Sequence, residues 1–202
     1  MSHDIRTPMN AIIGMSVIAQ ANLRFPEKIQ DCLNKINVSS RHLLSLINEV
    51  LDMSKIESGK IDLISETVSL PELIEDVMDI FRPLMAEKHQ ELQINADHVR
   101  HEIVVTDHNR LQQVLTNLLS NAVKYTPDGG CVGLRVREVP SFAKGRGQYE
   151  FIVTDNGIGM SEDFIPHIFE PFSRAEESKT EQIQGTGLGM AITQNIVRMR
   201  HH

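Results

Sequence analysis

Apolar residues between Ile5 and Val50 recur on heptad spacing, mostly at alternating steps of four and three with Ser16 filling one position, which is the pattern of a helical seam. A break at Phe25 and Pro26 divides the pattern into two runs, and Gly59 follows the second. Two such helices in an antiparallel hairpin cannot bury both seams alone, so the pattern predicts pairing with a second copy into a four-helix bundle, and hence a homodimer. The seam positions are Ile5, Met9, Ile12, Ala19, Leu23, Ile29, Leu33, Ile36, Leu43, Ile47 and Val50.

The pattern changes after Gly59 to a mixture of helices and strands. Helices are predicted over 70–85 and 107–125 from their broad apolar faces. Alternating helices and mostly hairpin-linked strands indicate an α/β sandwich, so the fold class is α+β: a helical hairpin followed by a sandwich. We place the domains at 1–66 and 67–202. Strands are predicted over 92–94, 103–105, 132–139 and 149–153.

Charge and hydropathy restrict the class of partner. The 202 residues carry a formal net charge of -7, which argues against nucleic acid as the main partner because duplex binding needs clustered Lys and Arg. No stretch approaches the roughly 20 apolar residues that a membrane span needs, so we expect no membrane segment in this chain. The chain is of cytoplasmic type.

The segment SHDIRTP, residues 2–8, combines a histidine with a carboxylate and a hydroxyl on one helix. His3 and Thr7 are four residues apart and share a face, and Asp4 is three residues from Thr7. A carboxylate beside a histidine can hold the imidazole in its nucleophilic tautomer or take its proton during attack on a phosphoryl group. The alternative is a solvent-exposed helix N-terminus at which Asp4 interacts favourably with the helix dipole.

The predicted helix 107–125 carries a polar stripe beside its core face. Asn117, Asn121 and Lys124 lie at steps of four and three. Asn offers a neutral oxygen to hydrated Mg²⁺ bound with substrate phosphates, and Lys offers a point charge to the phosphates. The alternative is a polar, solvent-exposed helix face with no ligand.

Two glycine motifs follow. In DNGIGM, residues 155–160, Asp155 ends a strand and can accept a hydrogen bond from an exocyclic amine such as that of adenine, while Gly157 and Gly159 let a flat ring come close. A plain turn is the alternative. GTGLGMAI, residues 185–192, opens an amphipathic helix whose free N–H groups suit phosphate, although a lone glycine cluster is weak evidence. It follows no strand, so neither a Rossmann nor a P-loop site fits it.

Between the two motifs, residues 168–184 combine Phe169 and Phe172, around Pro171, with a polar charged run. Such a run is usually a mobile loop. We interpret it as a lid, with the two aromatic rings as hinge packing and Arg174 near phosphate.

In this order the five elements resemble the sensor histidine kinase family. SHDIRTPMNAI is similar to the family's phosphoacceptor box, NLLSNAVKYTP to its asparagine box, DNGIGM and GTGLGMAI to its two glycine boxes and FEPF to its phenylalanine box. The resemblance implies a dimerisation and phosphotransfer hairpin, then an ATP-binding domain of the gyrase and chaperone type. It also implies two-component signalling, with ATP and Mg²⁺ as ligands and a response-regulator receiver domain as partner.

The resemblance also implies roles for individual residues. His3 would be the phosphoacceptor, Asp4 its general base, and Thr7 the residue that positions water when the protein dephosphorylates the regulator. Residues 173–184 would be the ATP lid. Asn121 would hold Mg²⁺ with support from Asn117. The implied nucleotide-binding residues are Asn117, Asn121, Lys124, Tyr125, Asp155, Gly157, Gly159, Arg174, Gly185, Thr186, Gly187, Leu188 and Gly189.

The chain departs from the family at both ends. Only two residues precede His3. It is therefore expected in the first turn of the helix, whose N–H groups have no hydrogen-bond partners within the helix and which should fray. In the family further strands follow the last helix, so we expect the sheet of this chain to be left with an open edge, and its parent protein to be membrane-anchored. Two other functions stay open: an ATP-binding module without phosphotransfer, and a gyrase-like or chaperone-like ATPase.

Overall fold

The structure is a computed structural model that describes residues 2–58, 63–96, 98–141, 143, 145–174 and 185–200. The chain forms two compact units, each described here by itself. The first contains the described residues of 2–58, 170–174 and 185–192, and the second contains those of 63–169 and 193–200. The domain division at residue 66 stays a prediction.

Two long helices make up most of the first unit. Helix α1 spans Ser2–Ala21 and helix α2 spans Pro26–Glu57, and they pack along each other. Proline at the start of α2 costs no hydrogen bond, because the first N–H groups of a helix have no partner within it. Cys32 and Leu46 of α2 are buried. The predicted helical hairpin with a break at Phe25 and Pro26 is confirmed.

The second unit contains two full helices, each started by a side-chain cap. Helix α3 spans Leu70–Glu87, and the Ser69 hydroxyl accepts the Glu72 N–H at 3.5 Å. Helix α4 spans His108–Tyr125. Asp107 accepts the Arg110 N–H at 3.0 Å, which satisfies one of the unpaired donors of the first turn. Helix α5 spans Gly189–Arg200, so its residues are divided between the two units.

In the part of the chain that the structure describes, five strands form two small sheets. The strands are β1 (Glu66–Ser69), β2 (Glu91–Asn95), β3 (Ile103–Thr106), β4 (Cys131–Val139) and β5 (Gln148–Asp155). β1 pairs antiparallel with β3, β2 pairs parallel with β4, and β4 pairs antiparallel with β5.

The expectation of mostly hairpin-linked strands is wrong. Among the described strands, only β4 and β5 are both adjacent in the chain and paired with each other. A parallel pair such as β2 and β4 needs a long crossover, and the segment between them contains α4. The crossover packs α4 against β4 and β5.

The core of the second unit lies between the helices and one face of the strands. It is built by α3, α4 and β4, whose inward side chains are almost completely inaccessible. On β4 the buried residues Val132, Leu134 and Val136 alternate with the exposed Arg135 and Arg137. This alternation is that of a sheet covered on one face only. The predicted α/β sandwich is confirmed.

Leu73 and Leu84 provide a matched test of this core on one helix. Leu73 is fully buried, whereas Leu84 exposes 48% of its surface. Leu73→Ala is expected to lower the free energy of unfolding by about 2–5 kcal/mol, because it removes buried methyl groups and leaves a cavity. Leu84→Ala should change it by about 0.5 kcal/mol or less. Denaturant titration of both variants checks this, and equal losses would contradict the assigned core.

The segment between β2 and β3 is held by one carboxylate of β4. Glu138 Oε2 accepts the N–H groups of Arg100 and His101 at 2.8 and 3.0 Å, and Oε1 lies 2.8 Å from His101 Nδ1. The His101 side chain, followed by the two backbone N–H groups, lowers the pKa of Glu138 to about 2 from its usual 4.5. These hydrogen bonds favour the charged carboxylate.

A carboxyl whose pKa is lower in the folded state stabilises the protein above its unfolded pKa. The contribution of Glu138 is therefore complete above pH 4.5 and is lost as pH falls to about 2. Glu138→Gln should lower the melting temperature near neutral pH and flatten its decline across that acid range. Thermal melts from pH 7 to 2 check this, with Glu162→Gln, in an exposed loop, as the control. If the melting temperatures of wild type and Glu138→Gln declined equally between pH 4.5 and 2, this prediction would be contradicted.

Candidate functional site

The polar stripe of α4 lies beside the helix's buried face. Its inner positions, Val114, Leu115 and Leu119, are buried and hold the orientation of the helix about its axis. The half-exposed Asn117 donates from Nδ2 to the hydroxyl of the buried Thr193, at 3.2 Å. Packing of the apolar face therefore determines the direction in which the stripe points.

The remaining residues of the stripe lie along the following turns of the same helix. Asn121, Lys124 and Tyr125 are all half-buried. Lys124 Nζ lies 5.0 Å from the centre of the Tyr125 ring, within the range of a cation–π contact. The stripe thus presents amide groups, an ammonium and an aromatic ring on one surface.

The first glycine motif begins where β5 ends. Asp155 is the last residue of the strand and is exposed, and its Oδ1 accepts the Gly157 N–H at 2.9 Å. A Cβ on Gly157 would lie 2.5 Å from the carbonyl oxygen of Tyr125, so a side chain there would force the backbone apart. The Ile158 N–H donates to that same carbonyl at 3.2 Å. The structure thus brings the end of α4 against the first glycine motif.

These residues fit an adenine nucleotide. Asp155 offers a carboxylate acceptor for an exocyclic amine. Gly159 has φ +71, which favours glycine, and a Cβ there would meet no atom within 4 Å, so the surface above it is open to a flat ring. The amides and ammonium of α4 suit hydrated Mg²⁺ and phosphate oxygens.

The second glycine motif lies in the first unit. Thr186 Oγ1 accepts the Leu188 N–H at 3.0 Å, and the Thr186 hydroxyl is hydrogen-bonded to Glu49 of α2. Gly187 has φ +71, and its carbonyl accepts the Phe172 N–H at 3.0 Å. Gly185 and Gly189 are half-buried, and Leu188 is buried.

The predicted phosphoacceptor segment forms the first turns of α1. His3 lies within the helix, but its side chain is outside the described residues. Asp4 is half-buried and lines a small pocket of the first unit with Phe172, Thr186 and Leu188, whereas Thr7 is exposed. The first unit therefore places Asp4 near the second glycine motif.

The predicted lid lies mostly outside the described residues, which stop at 174 and resume at 185. Arg174 is exposed. Phe169 and Phe172 expose 40% and 47% of their surface. Phe172 has φ +65, lines the small pocket of the first unit and donates its backbone N–H to the Gly187 carbonyl. The role of the two rings as hinge packing stays a prediction.

Sequence reasoning missed two side chains at the end of α4. Lys88 and Gln90 donate hydrogen bonds to backbone carbonyls of residues 123–127. Between 33 and 38 positions separate donors from acceptors. No local spacing rule covers that distance, so the only available signal was that Lys88 follows a predicted helix.

Family models match both parts of the chain. Residues 1–59 match the His Kinase A (phospho-acceptor) domain, and residues 106–202 match the histidine kinase-, DNA gyrase B- and HSP90-like ATPase domain. The first of these two matches covers the helical hairpin, and the second covers most of the α/β sandwich. The chain belongs to the sensor histidine kinase family.

Curated relatives match nearly the whole chain. The autoinducer 2 sensor kinase/phosphatase LuxQ of Vibrio parahaemolyticus is 35% identical over 98% of this chain, which spans 23% of that relative. The sensory/regulatory protein RpfC of Xanthomonas campestris is 39% identical over 98% of the chain, which spans 27% of it. The chain thus spans only about a quarter of the length of these relatives.

Solved structures share the fold. Full-length ShkA in complex with AMPPNP has a TM-score of 0.70 and 30% identity, covering 98% of this chain and 39% of that chain. The Acinetobacter baumannii histidine kinase AdeS has a TM-score of 0.65 and 22% identity, covering 97% and 86%, and supports the fold alone. ThkA in complex with the response regulator protein TrrA has a TM-score of 0.65 and 24% identity, covering 99% and 53%, and also supports the fold alone.

In the described part of the chain, no helix combines the length and the apolar character that crossing a membrane needs.

Proposed function

We propose that this chain is an ATP-dependent protein-histidine kinase that phosphorylates its own His3 and passes the phosphoryl group to an aspartate of a response-regulator receiver domain. One observation carries the proposal. The exposed carboxylate of Asp155 and the glycines after it lie against the end of α4, whose surface presents Asn117, Asn121 and Lys124. The groups that we propose to bind the base and the phosphates therefore belong to the same junction.

In this proposal the second unit holds ATP as substrate. Asp155 accepts the amine of the adenine ring, Gly157 and Gly159 allow the ring to approach, and Lys124 and Tyr125 lie beside the nucleotide. Asn121 would hold Mg²⁺ with support from Asn117, and the ion would neutralise charge on the phosphate oxygens.

The transfer is an in-line displacement at the γ-phosphorus. The imidazole nitrogen of His3 forms the N–P bond, the bond from phosphorus to the bridging oxygen breaks, and ADP leaves with that electron pair. The proton on the other ring nitrogen passes to Asp4, a carboxylate placed one residue away. Positioning supplies much of the rate, because both reactants are held.

Dimerisation is supported by the apolar surface of the first unit. Along α1 and α2 many large apolar side chains expose more than 40% of their surface in the single chain, which a soluble hairpin does not tolerate unless it is covered. We propose that a second copy covers them in a four-helix bundle. The exposed positions are Met9, Ile13, Val17, Ile18, Leu33, Val38, Leu44, Ile47 and Leu51.

The partner and the location follow from the same proposal. The receiver domain of a response regulator accepts the phosphoryl group in the cytoplasm, where ATP is available. Thr7 is exposed on α1, one turn beyond His3, and positions water when the kinase instead dephosphorylates the regulator.

Labelling chemistry tests the function. Incubation with γ-labelled ATP and Mg²⁺ should label the protein through a bond that acid breaks and base leaves intact, as a phosphoramidate requires, and EDTA should prevent labelling. Saturable ATP binding without label would favour the nucleotide-binding module, and free phosphate without labelled protein would favour the ATPase. A base-labile, acid-stable label would exclude phosphohistidine.

A further inference from the structure

The C-terminal end of α4 has no left-handed glycine cap, and the Thr126 N–H donates to the Ala122 carbonyl at 3.0 Å. Helices commonly end with a glycine in the left-handed conformation, and the N–H groups of that glycine and of the next residue donate to the last carbonyls of the helix. Here the residue after the helix, Thr126, is extended (φ -87, ψ 129), and Pro127 has no N–H to donate. The last carbonyls carry partial negative charge and need donors from elsewhere.

Lys88 and Gln90 supply those donors. Lys88 Nζ lies 2.8 Å from the carbonyl oxygen of Val123, 2.7 Å from that of Thr126 and 3.4 Å from that of Lys124, which uses all three ammonium protons. Gln90 Nε2 lies 3.0 and 2.7 Å from the carbonyl oxygens of Val123 and Thr126. A cation at the C-terminal end of a helix also interacts favourably with the negative end of the helix dipole.

The turn that carries these two side chains is itself well defined. The Gln90 N–H bonds back to the Met85 carbonyl at 2.8 Å, and His89 between them has φ 51, so α3 ends in a Schellman-type turn. The Gly129 N–H donates to the Lys88 carbonyl at 2.9 Å. Both donors therefore project from a backbone that is joined to the loop after α4.

The capped turn is also the one that contacts the first glycine motif. The carbonyl of Tyr125 accepts the Ile158 N–H at 3.2 Å, and the carbonyls on either side of it, of Lys124 and Thr126, accept from Lys88. The turn that carries Lys124 and Tyr125 is therefore held both by Lys88 and by its backbone contact with the first glycine motif.

From this geometry we propose that Lys88 and Gln90 are positioning residues of the nucleotide site: they hold the end of α4 against the first glycine motif without touching the nucleotide. The inference rests on the proposed function of that site. Its consequence is that affinity for nucleotide depends on two side chains from the turn after α3.

The test compares variants of the whole chain that remove donors with variants that keep them. Lys88→Met keeps most of the side-chain length and removes every donor, and it is expected to raise the Kd for ATP at least about tenfold, because small misplacement of binding groups is costly. Gln90→Met removes only the amide donors and should raise it less. Kd is measured by calorimetry with Mg²⁺, at a temperature where circular dichroism shows each variant folded.

Two controls separate positioning from general destabilisation. His89→Gly changes the residue between the two donors but keeps both side chains, and Lys55→Met makes the same substitution at an exposed lysine in the last turn of α2. Both should bind ATP as wild type does. In Lys88→Met, amide hydrogen exchange at Ile158 should be faster, whereas exchange at Leu134, in the core strand β4, should be unchanged.

The outcomes are distinct. Wild type that does not bind ATP would overturn the proposed function and this inference together. Wild type that binds, with an unchanged Kd in folded Lys88→Met, would overturn the inference alone. If Lys88→Met does not fold, Gln90→Met decides: an unchanged Kd there, or an equal loss in His89→Gly, overturns the inference.

Discussion

Replacing His3 with alanine is expected to remove all label transferred from γ-labelled ATP, while ATP still binds with the affinity of wild type. Alanine has no nitrogen that could form the N–P bond, and no other group is proposed to accept the phosphoryl group. His3 lies in the first turn of α1, and the proposed nucleotide-binding residues of α4 and β5 lie in the other unit. We therefore expect their fold not to depend on the imidazole. Autoradiography and calorimetry on the same sample measure the two properties.

The matched control is His42→Ala on α2. His42 is a half-buried histidine of the same helical hairpin, so its replacement removes an imidazole from the first unit without touching the proposed acceptor. We expect wild-type labelling for this variant. Label that survives in His3→Ala, or that disappears in His42→Ala, would contradict the assignment of His3.

Asp155→Ala is expected to weaken ATP binding by about 10- to 100-fold, because a hydrogen bond to a charged acceptor is lost. The substitution also removes the acceptor of the Gly157 N–H, so the first glycine motif loses one of its fixed contacts. GTP has a carbonyl where ATP has its exocyclic amine. The preference for ATP over GTP should therefore shrink along with the affinity.

The control is Asp163→Ala, which removes an exposed carboxylate from the loop after the first glycine motif. It should leave both the affinity and the ATP preference unchanged. Asp155→Asn should fall between wild type and alanine, since the carboxamide keeps one oxygen acceptor but loses the charge. Unchanged discrimination between ATP and GTP in Asp155→Ala would exclude a role for this residue in reading the base.

Local patterns in the sequence predicted most of the elements. The heptad seam predicts both helices of the hairpin because buried helical faces repeat every three or four residues. The four predicted strands lie within a few residues of β2 to β5. Short apolar runs bounded by polar turns are typical of strands. Asp155 was expected at a strand end, and β5 does end there.

Pairing and junctions between distant segments were not predictable in this way. The parallel pairing of β2 with β4 depends on how α4 crosses over the sheet, which no local period records. The same crossover brings Lys88 and Gln90 to the end of α4, and the contact exists only because α3, α4 and β4 share one core.

The sequence by itself therefore determined which chemical groups this protein carries and on which helices and strands they lie, because those depend on residue type and local period. Tertiary structure alone decided how those groups are held. A helix that ends in an extended threonine and a proline must take its cap from elsewhere, and only the packed fold supplies Lys88 and Gln90 at that end.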